Sequence, residues 1–262
     1  DSVHAKLGRT TPEEEIARFR KVLKLQHSRL FDTKELSDVV AGSARWDRER
    51  VEKILQIDGA KKDTRTIVGV SCGLNYQTPE ARHSLFGPTI RQAQRDACTI
   101  AVQLAVKANV PIVLECQQSK DEEEESVTKD LVLILANHAP PETRMLLRNG
   151  ALTTASKPGL DVLMQTWENL YVGLDAKVAY SKCSKELLDI AFDLPLERLV
   201  LTSESPTSLP PVLKDCSHLI PLCLPPHVAC CAQAIAKIKN GGVSDGEVLT
   251  QSTSNIRKLF SI

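Results

Sequence analysis

Neither sign of charge is in excess in this chain: 33 Lys and Arg balance 33 Asp and Glu over 262 residues, so no global basic field draws nucleic acid from a distance. The one dense charge run, residues 121–125 (DEEEE), is acidic, repels phosphate and reads as a solvated loop or helix start. No run of about 18 apolar residues occurs, which excludes the usual transmembrane helix pattern. The eight cysteines (72, 98, 116, 183, 216, 223, 230 and 231) contain no CxxC pair and no regular framework, so we expect reduced, intracellular usage, with a cytoplasmic and a mitochondrial setting both open. Residues 1–6 lack a signal-peptide pattern. GxSxG is absent, which removes the nucleophile elbow of serine hydrolases. Glycine-rich phosphate loops are also missing, and Gly241 and Gly242 read instead as a helix C-cap and turn.

What is present is a repeating alternation of strand and helix patterns. Residues 67–118 form the clearest unit: the apolar runs 66–70 and 112–114 are short and continuous, while Ile100, Leu104 and Ala108 recur at helical spacing between them. That predicts one βαβ unit. Ahead of it, residues 1–7 and 35–42 read as strands, Thr11 and Pro12 start a helix as N-cap and N1, and 46–57 is an amphipathic helix. Beyond it we expect helices at 127–136, 159–168, 182–192, 227–239 and 245–260, strands at 144–147, 169–174 and 199–201, and a Pro-rich loop over 205–226. The proline pair at 140 and 141 should stop the first of these helices. Six or seven alternations argue for a parallel α/β fold, and the length favours one barrel over an open sheet.

The segments CGLNY (72–76), NVPIVLEC (109–116), RMLLRNG (144–150) after the proline pair, NLYVGL (169–174), PLERLVLTSESP (195–206) and SNIRKLF (254–260) together resemble the TatD family of metal-dependent deoxyribonucleases. Their order and most spacings agree from about Asp38 to the C-terminus, whereas the first forty residues agree poorly. The resemblance implies a single TIM-type (β/α) barrel over 1–262, divergent or shortened over 1–37, with a metal site at the C-terminal strand ends. It also implies phosphodiester hydrolysis by metal-activated water.

The positions that would carry that chemistry are altered. The family's pair of histidines on the first strand falls at His4 and Lys6. Its bridging glutamate falls at Ser71, and the aspartate that follows at Asn75. Its next histidine and arginine fall at Glu115 and Gln117. A further histidine falls at Arg148, or at Thr153 if the register slides, and the last aspartate at Glu204. Only His4, Glu115 and Glu204 keep plausible donors, while Lys6 and Arg148 place cations where a metal would sit. A cation within a few Å of a divalent ion opposes binding by several kcal/mol, so we expect no cofactor; the alternative is a divalent metal, Mg or Zn. Lys6 and Arg148 then either pair with Glu115 and Glu204 or contact phosphate.

Plainer readings stand beside these. His4 also fits a strand edge, and Glu115 and Glu204 a barrel rim. Cys72 and Cys116, next to former ligand positions, fit either a soft-metal thiolate site or the core. Cys230 and Cys231 near His227 fit either a low-pKa thiol at a helix start or core packing, and packing is the reading taken. The sequence therefore leads to an inactive TatD-like barrel serving as a binding or structural subunit of an intracellular complex. The alternatives are a divergent metal-dependent nuclease, with Glu115 and Glu204 catalytic, and a nucleic-acid binder without catalysis. Protein partners are expected at the loop 205–226 and wherever shortened N-terminal units leave apolar edges uncovered, which would make the isolated chain oligomeric or poorly soluble.

Overall fold

A computed structural model of the chain describes residues 69–82, 84, 87–116, 127–148, 157–180, 183–203, 205, 209–216 and 223–262. The elements expected before residue 69 lie outside the described residues. By internal contacts the chain divides into two units, one drawing its described residues from 69–110 and 115–140, the other from 111–114 and 141–262.

The first unit contains strand β1 (Val70–Cys72), helix α1 (Gly87–Ala108) and helix α2 (Val127–His138). β1 extends two residues past the predicted run, because Cys72 acts as a small hydrophobe, 2 % exposed, and its carbonyl accepts the Glu115 N–H at 2.9 Å. The buried face of α1 includes Ala97, Cys98, Ala101, Val102, Leu104 and Ala105, so small side chains let the helix lie close. α2 runs two residues beyond the predicted end and stops just before Pro140, as the proline pair requires.

The second unit is built on four parallel strands in the order β2 (Ile112–Leu114), β3 (Met145–Leu147), β4 (Leu170–Leu174) and β5 (Leu199–Leu201). Ile112 pairs with Met145, Met145 with Leu170, and Val172 with Leu199. Every β4 residue is buried, as a strand covered on both faces demands. Helices α3 (Lys157–Thr166), α4 (Lys185–Asp193), α5 (Val228–Ile238) and α6 (Asp245–Phe260) complete the unit. Leu146, Tyr171 and Val200 share one sheet face and pack with Leu259 of α6.

Local chemistry sets the boundaries. Ser184 caps α4 by accepting from the Leu187 N–H at 3.2 Å, so that helix begins three residues later than the expected start at 182. α3 begins and ends two residues early. Its C-terminal carbonyls turn to Arg198, whose guanidinium donates to Met164 O and Trp167 O at 2.9 Å each and to Glu168 O. Ser244 and Glu247 form a reciprocal capping box at the start of α6. After α5 the C-cap is Lys239, and Asn240 and Gly241 follow at φ +53° and +72°, so Gly241 lies two residues past the cap, not at it as expected, with its N–H reaching Ala236 O. The Pro-rich segment is not wholly irregular, since short 3₁₀ turns occupy Pro211–Cys216 and Pro225–His227.

Asn255 locks α6 to β5. Fully buried, it donates to Leu196 O and Leu199 O at 2.7 Å each, and Ser252 Oγ accepts the Leu201 N–H at 2.9 Å.

Candidate functional site

In the first unit the candidate residues cluster where β1 ends. Ser71 is half-buried in the strand, and Gly73 follows it at a close crossing: a Cβ on Gly73 would lie 1.7 Å from Glu115 O. Glycine is required here for space, because its φ lies outside the left-handed region. The approach brings Glu115, half-buried just past β2, against the backbone of the β1 end.

Asn75 works in the backbone of its loop. Its side-chain oxygen accepts the Gln77 N–H at 3.0 Å as an Asx-turn, while the amide of buried Gln94 clamps its N–H and C=O at 2.7 and 2.9 Å. Tyr76 is fully buried; its hydroxyl donates to Asp130 Oδ2 at 2.5 Å, and Arg95 donates to both, at 3.2 and 3.0 Å. Arg91 lies 5.9 Å from the centre of the ring, in cation–π range. This network fixes the CGLNY loop to α1 and α2.

Burial pushes the Tyr76 hydroxyl above its usual range; Asp130 adds to the rise and Arg95 opposes it. An unfolded tyrosine ionises near pH ~10 while the folded one keeps its proton. The folded state then holds more protons, so stability should fall as pH rises past that point. Urea midpoints measured from pH 8 upward should show this decline, and Tyr76→Phe should flatten it. At neutral pH the same change should cost about 1–2 kcal/mol, because Asp130 loses its hydroxyl donor.

Cys116 and Cys231 are buried among core residues. Cys116 is buried and its thiol is pushed up to about 12 by desolvation, against an opposing hydrogen bond from the Leu74 backbone. Cys231 donates to Leu174 O at 3.4 Å, and burial raises its thiol as well, so Cys231 packs as a core residue and is not a low-pKa thiol.

In the second unit Arg148 follows β3, half-buried, with its N–H donating to Leu114 O at 2.9 Å. Beside it a Cβ on Gly173 would lie 3.5 Å from Arg148 Cα and 3.1 Å from Thr202 Cγ2. Sequence reasoning passed over Asp175, which directly follows β4 and is fully buried. Its Oδ1 accepts the Lys177 N–H at 2.6 Å and caps the 3₁₀ turn Ala176–Ala179; Oδ2 lies 3.4 Å from Lys177 Nζ, at an angle that makes an ion pair without a hydrogen bond. After burial itself, Asp175 is the next cause raising the thiols of Cys183 and Cys231. The signal available in the sequence was a lone acid directly after a fully apolar strand.

Ser71 and Glu115 thus lie in one unit and Arg148 in the other, while His4, Lys6, Gln117, Thr153 and Glu204 lie outside the described residues. Ser71 is neutral, the Asn75 oxygen is committed to its turn, Glu115 supplies one carboxylate and Arg148 a cation. Among the described residues no group of three His, Cys, Asp or Glu side chains is placed to hold a metal ion. No described helix is long and apolar enough to cross a membrane.

A sequence profile for the TatD related DNase family matches residues 27–261. The chain belongs to the TatD family. The match begins ahead of Asp38, where the motif agreement was first legible. Among curated proteins, the chain is similar to a 3'-5' ssDNA/RNA exonuclease TatD from Erwinia tasmaniensis, 22% identical over 226 residues, covering 84% of this chain and 74% of that protein. Among solved structures it is similar to YJJV, a TatD homologue from Escherichia coli K12, with a TM-score of 0.61 and 17% identity over 82% of this chain and 70% of that one. The fold is therefore α/β of the TIM type.

Proposed function

We propose that this TatD-family chain keeps the barrel as a binding or structural component and does not hydrolyse phosphodiesters. What supports this reading is the identity of the residues that the resemblance assigns to the ligand positions: Ser71, Asn75 and Arg148, where metal-dependent hydrolysis calls for two carboxylates and an imidazole. Replacing an imidazole by a guanidinium changes the sign of the field a metal would meet. In this reading Arg148 and Lys6 balance Glu115 and Glu204, and the space of a metal pair is taken by internal ion pairs. Other subunits of an intracellular assembly are the partners, with the segment 205–226 the surface we assign to them.

One observation favours a second reading, a divergent metal-dependent nuclease: the Erwinia relative is named as an exonuclease on single-stranded DNA and RNA. The same name makes a single strand the first nucleic acid to try as a ligand without catalysis.

The deciding experiment incubates the purified chain with end-labelled single-stranded DNA and RNA in magnesium or manganese, alongside elemental analysis. We expect no cleavage above the metal-only control and no stoichiometric divalent metal. Metal-dependent cleavage that is lost in Glu115→Gln or Glu204→Ala would overturn the proposal in favour of the nuclease. Salt-sensitive binding of single strands, weakened by Arg148→Ala, would assign the binding role to nucleic acid.

A further inference from the structure

Cys72 ends β1 and Cys98 lies on the buried face of α1, with their sulfurs 4.0 Å apart and the side chains 2 % and 0 % exposed. A disulfide bond is about 2.05 Å long, so closing it requires the sulfurs to approach by roughly 2 Å. The surroundings leave some room for such an adjustment, because Ala97 and Ala101, beside Cys98 on the buried face of α1, have no side chain beyond Cβ, although Gln94 and Val102 are buried there as well. We infer that Cys72 and Cys98 are a redox pair, which a two-electron oxidant of the peroxide class converts to an internal disulfide tying the end of β1 to α1.

The chemistry balances without any further reactant. One sulfur attacks the peroxide and the O–O bond breaks, giving a sulfenic acid and water. The second sulfur then displaces the sulfenic oxygen as a second water, and the S–S bond forms. The two thiol protons leave in those waters, and the two electrons lost by sulfur reduce the peroxide. Both steps need a thiolate, and the hydrogen bond that Cys98 donates to Cys72, together with burial, raises the Cys98 thiol well above its ordinary range. Oxidation is therefore slow and follows local opening of the β1 end, so the pair responds to sustained oxidant exposure. The cross-link would fasten the strand end whose next residue, Gly73, meets the Glu115 backbone. Redox state would thus set the rigidity of the candidate site, whether that site binds or cleaves.

The test treats the full chain with hydrogen peroxide at pH 8 over hours, unfolds it in an alkylating agent, digests it without reduction and maps the peptides by mass spectrometry. The expected result is a linked Cys72–Cys98 peptide pair that accumulates as the main cross-link, disappears with dithiothreitol, persists in Cys116→Ser, and accompanies a raised unfolding temperature. Alkylated, unlinked Cys72 and Cys98 after that treatment would overturn the inference, as would Cys98 linked chiefly to Cys116. The wild-type map decides the question even if Cys98→Ala fails to fold.

Discussion

Gly73→Ala should yield little or no folded protein. The added Cβ would sit 1.7 Å from Glu115 O, 2.5 Å from Glu115 C and 3.0 Å from Glu115 N, all backbone atoms that no rotamer change can move. Relief requires β1 and the chain after β2 to separate, which breaks the 2.9 Å bond from Glu115 N–H to Cys72 O. A cost above about 5 kcal/mol is expected, comparable to the whole stability of many domains. The comparison is Gly246→Ala in the first turn of α6, where a Cβ meets nothing closer than Ser244 Oγ at 3.9 Å. That variant should be neutral or gain about 0.5 kcal/mol. Expression level and thermal unfolding of the two variants measure the difference directly. If Gly73→Ala folds with an unfolding temperature near that of the parent, the close crossing is not as described.

Asn255→Ala is expected to cost about 2–4 kcal/mol, seen as a fall of roughly 5–15 °C in unfolding temperature. The reason lies in what the change leaves behind. Leu196 O and Leu199 O each accept from the Asn255 amide at 2.7 Å inside the core, and alanine would leave both without that donor. Gln251, one turn earlier in α6, also loses the oxygen its amide donates to at 2.9 Å. Asn255→Asp separates charge from shape. Placing a carboxylate against two carbonyl oxygens disfavours its ionised form, so the folded-state pKa should rise above the usual value near ~4. The folded state then binds more protons than the unfolded state above that pH, and stability falls as pH rises. The aspartate variant should therefore be worse than alanine at neutral pH and recover toward it in mild acid. Equal losses at both pH values would show that volume, not hydrogen bonding, is what Asn255 supplies.

Gly73 and Asn255 belong to two of the segments that carried the family resemblance, CGLNY and SNIRKLF, and in both the motif serves the fold. The two segments also show which features a sequence displays. The bounds of β5 and α6 were legible to the residue, because Leu199–Leu201 is an apolar triplet between Arg198 and Thr202 and α6 opens on its own cap. The shifted ends of α3 and α4 depended on partners that periodicity does not report, a guanidinium from another segment in one case and a serine cap in the other. At the site, Ser71, Glu115 and Arg148 were legible as strand-end positions because strand ends are local features. The commitment of Asn75 to an Asx-turn and the burial of Asp175 against its 3₁₀ turn were not, since both follow from how the chain bends after each strand.

By itself the sequence determined the alternation of strands and helices, the family, and the chemical character of the strand-end residues, since hydrophobic period, caps and side-chain identity are properties of neighbours along the chain. Only the tertiary structure decided that Gly73 must be glycine, that Cys72 meets Cys98, and that Asn255 holds two carbonyls of the β5 region. Each of these is a contact between segments distant in sequence, and the space and hydrogen-bond partners available there exist only once the chain has packed.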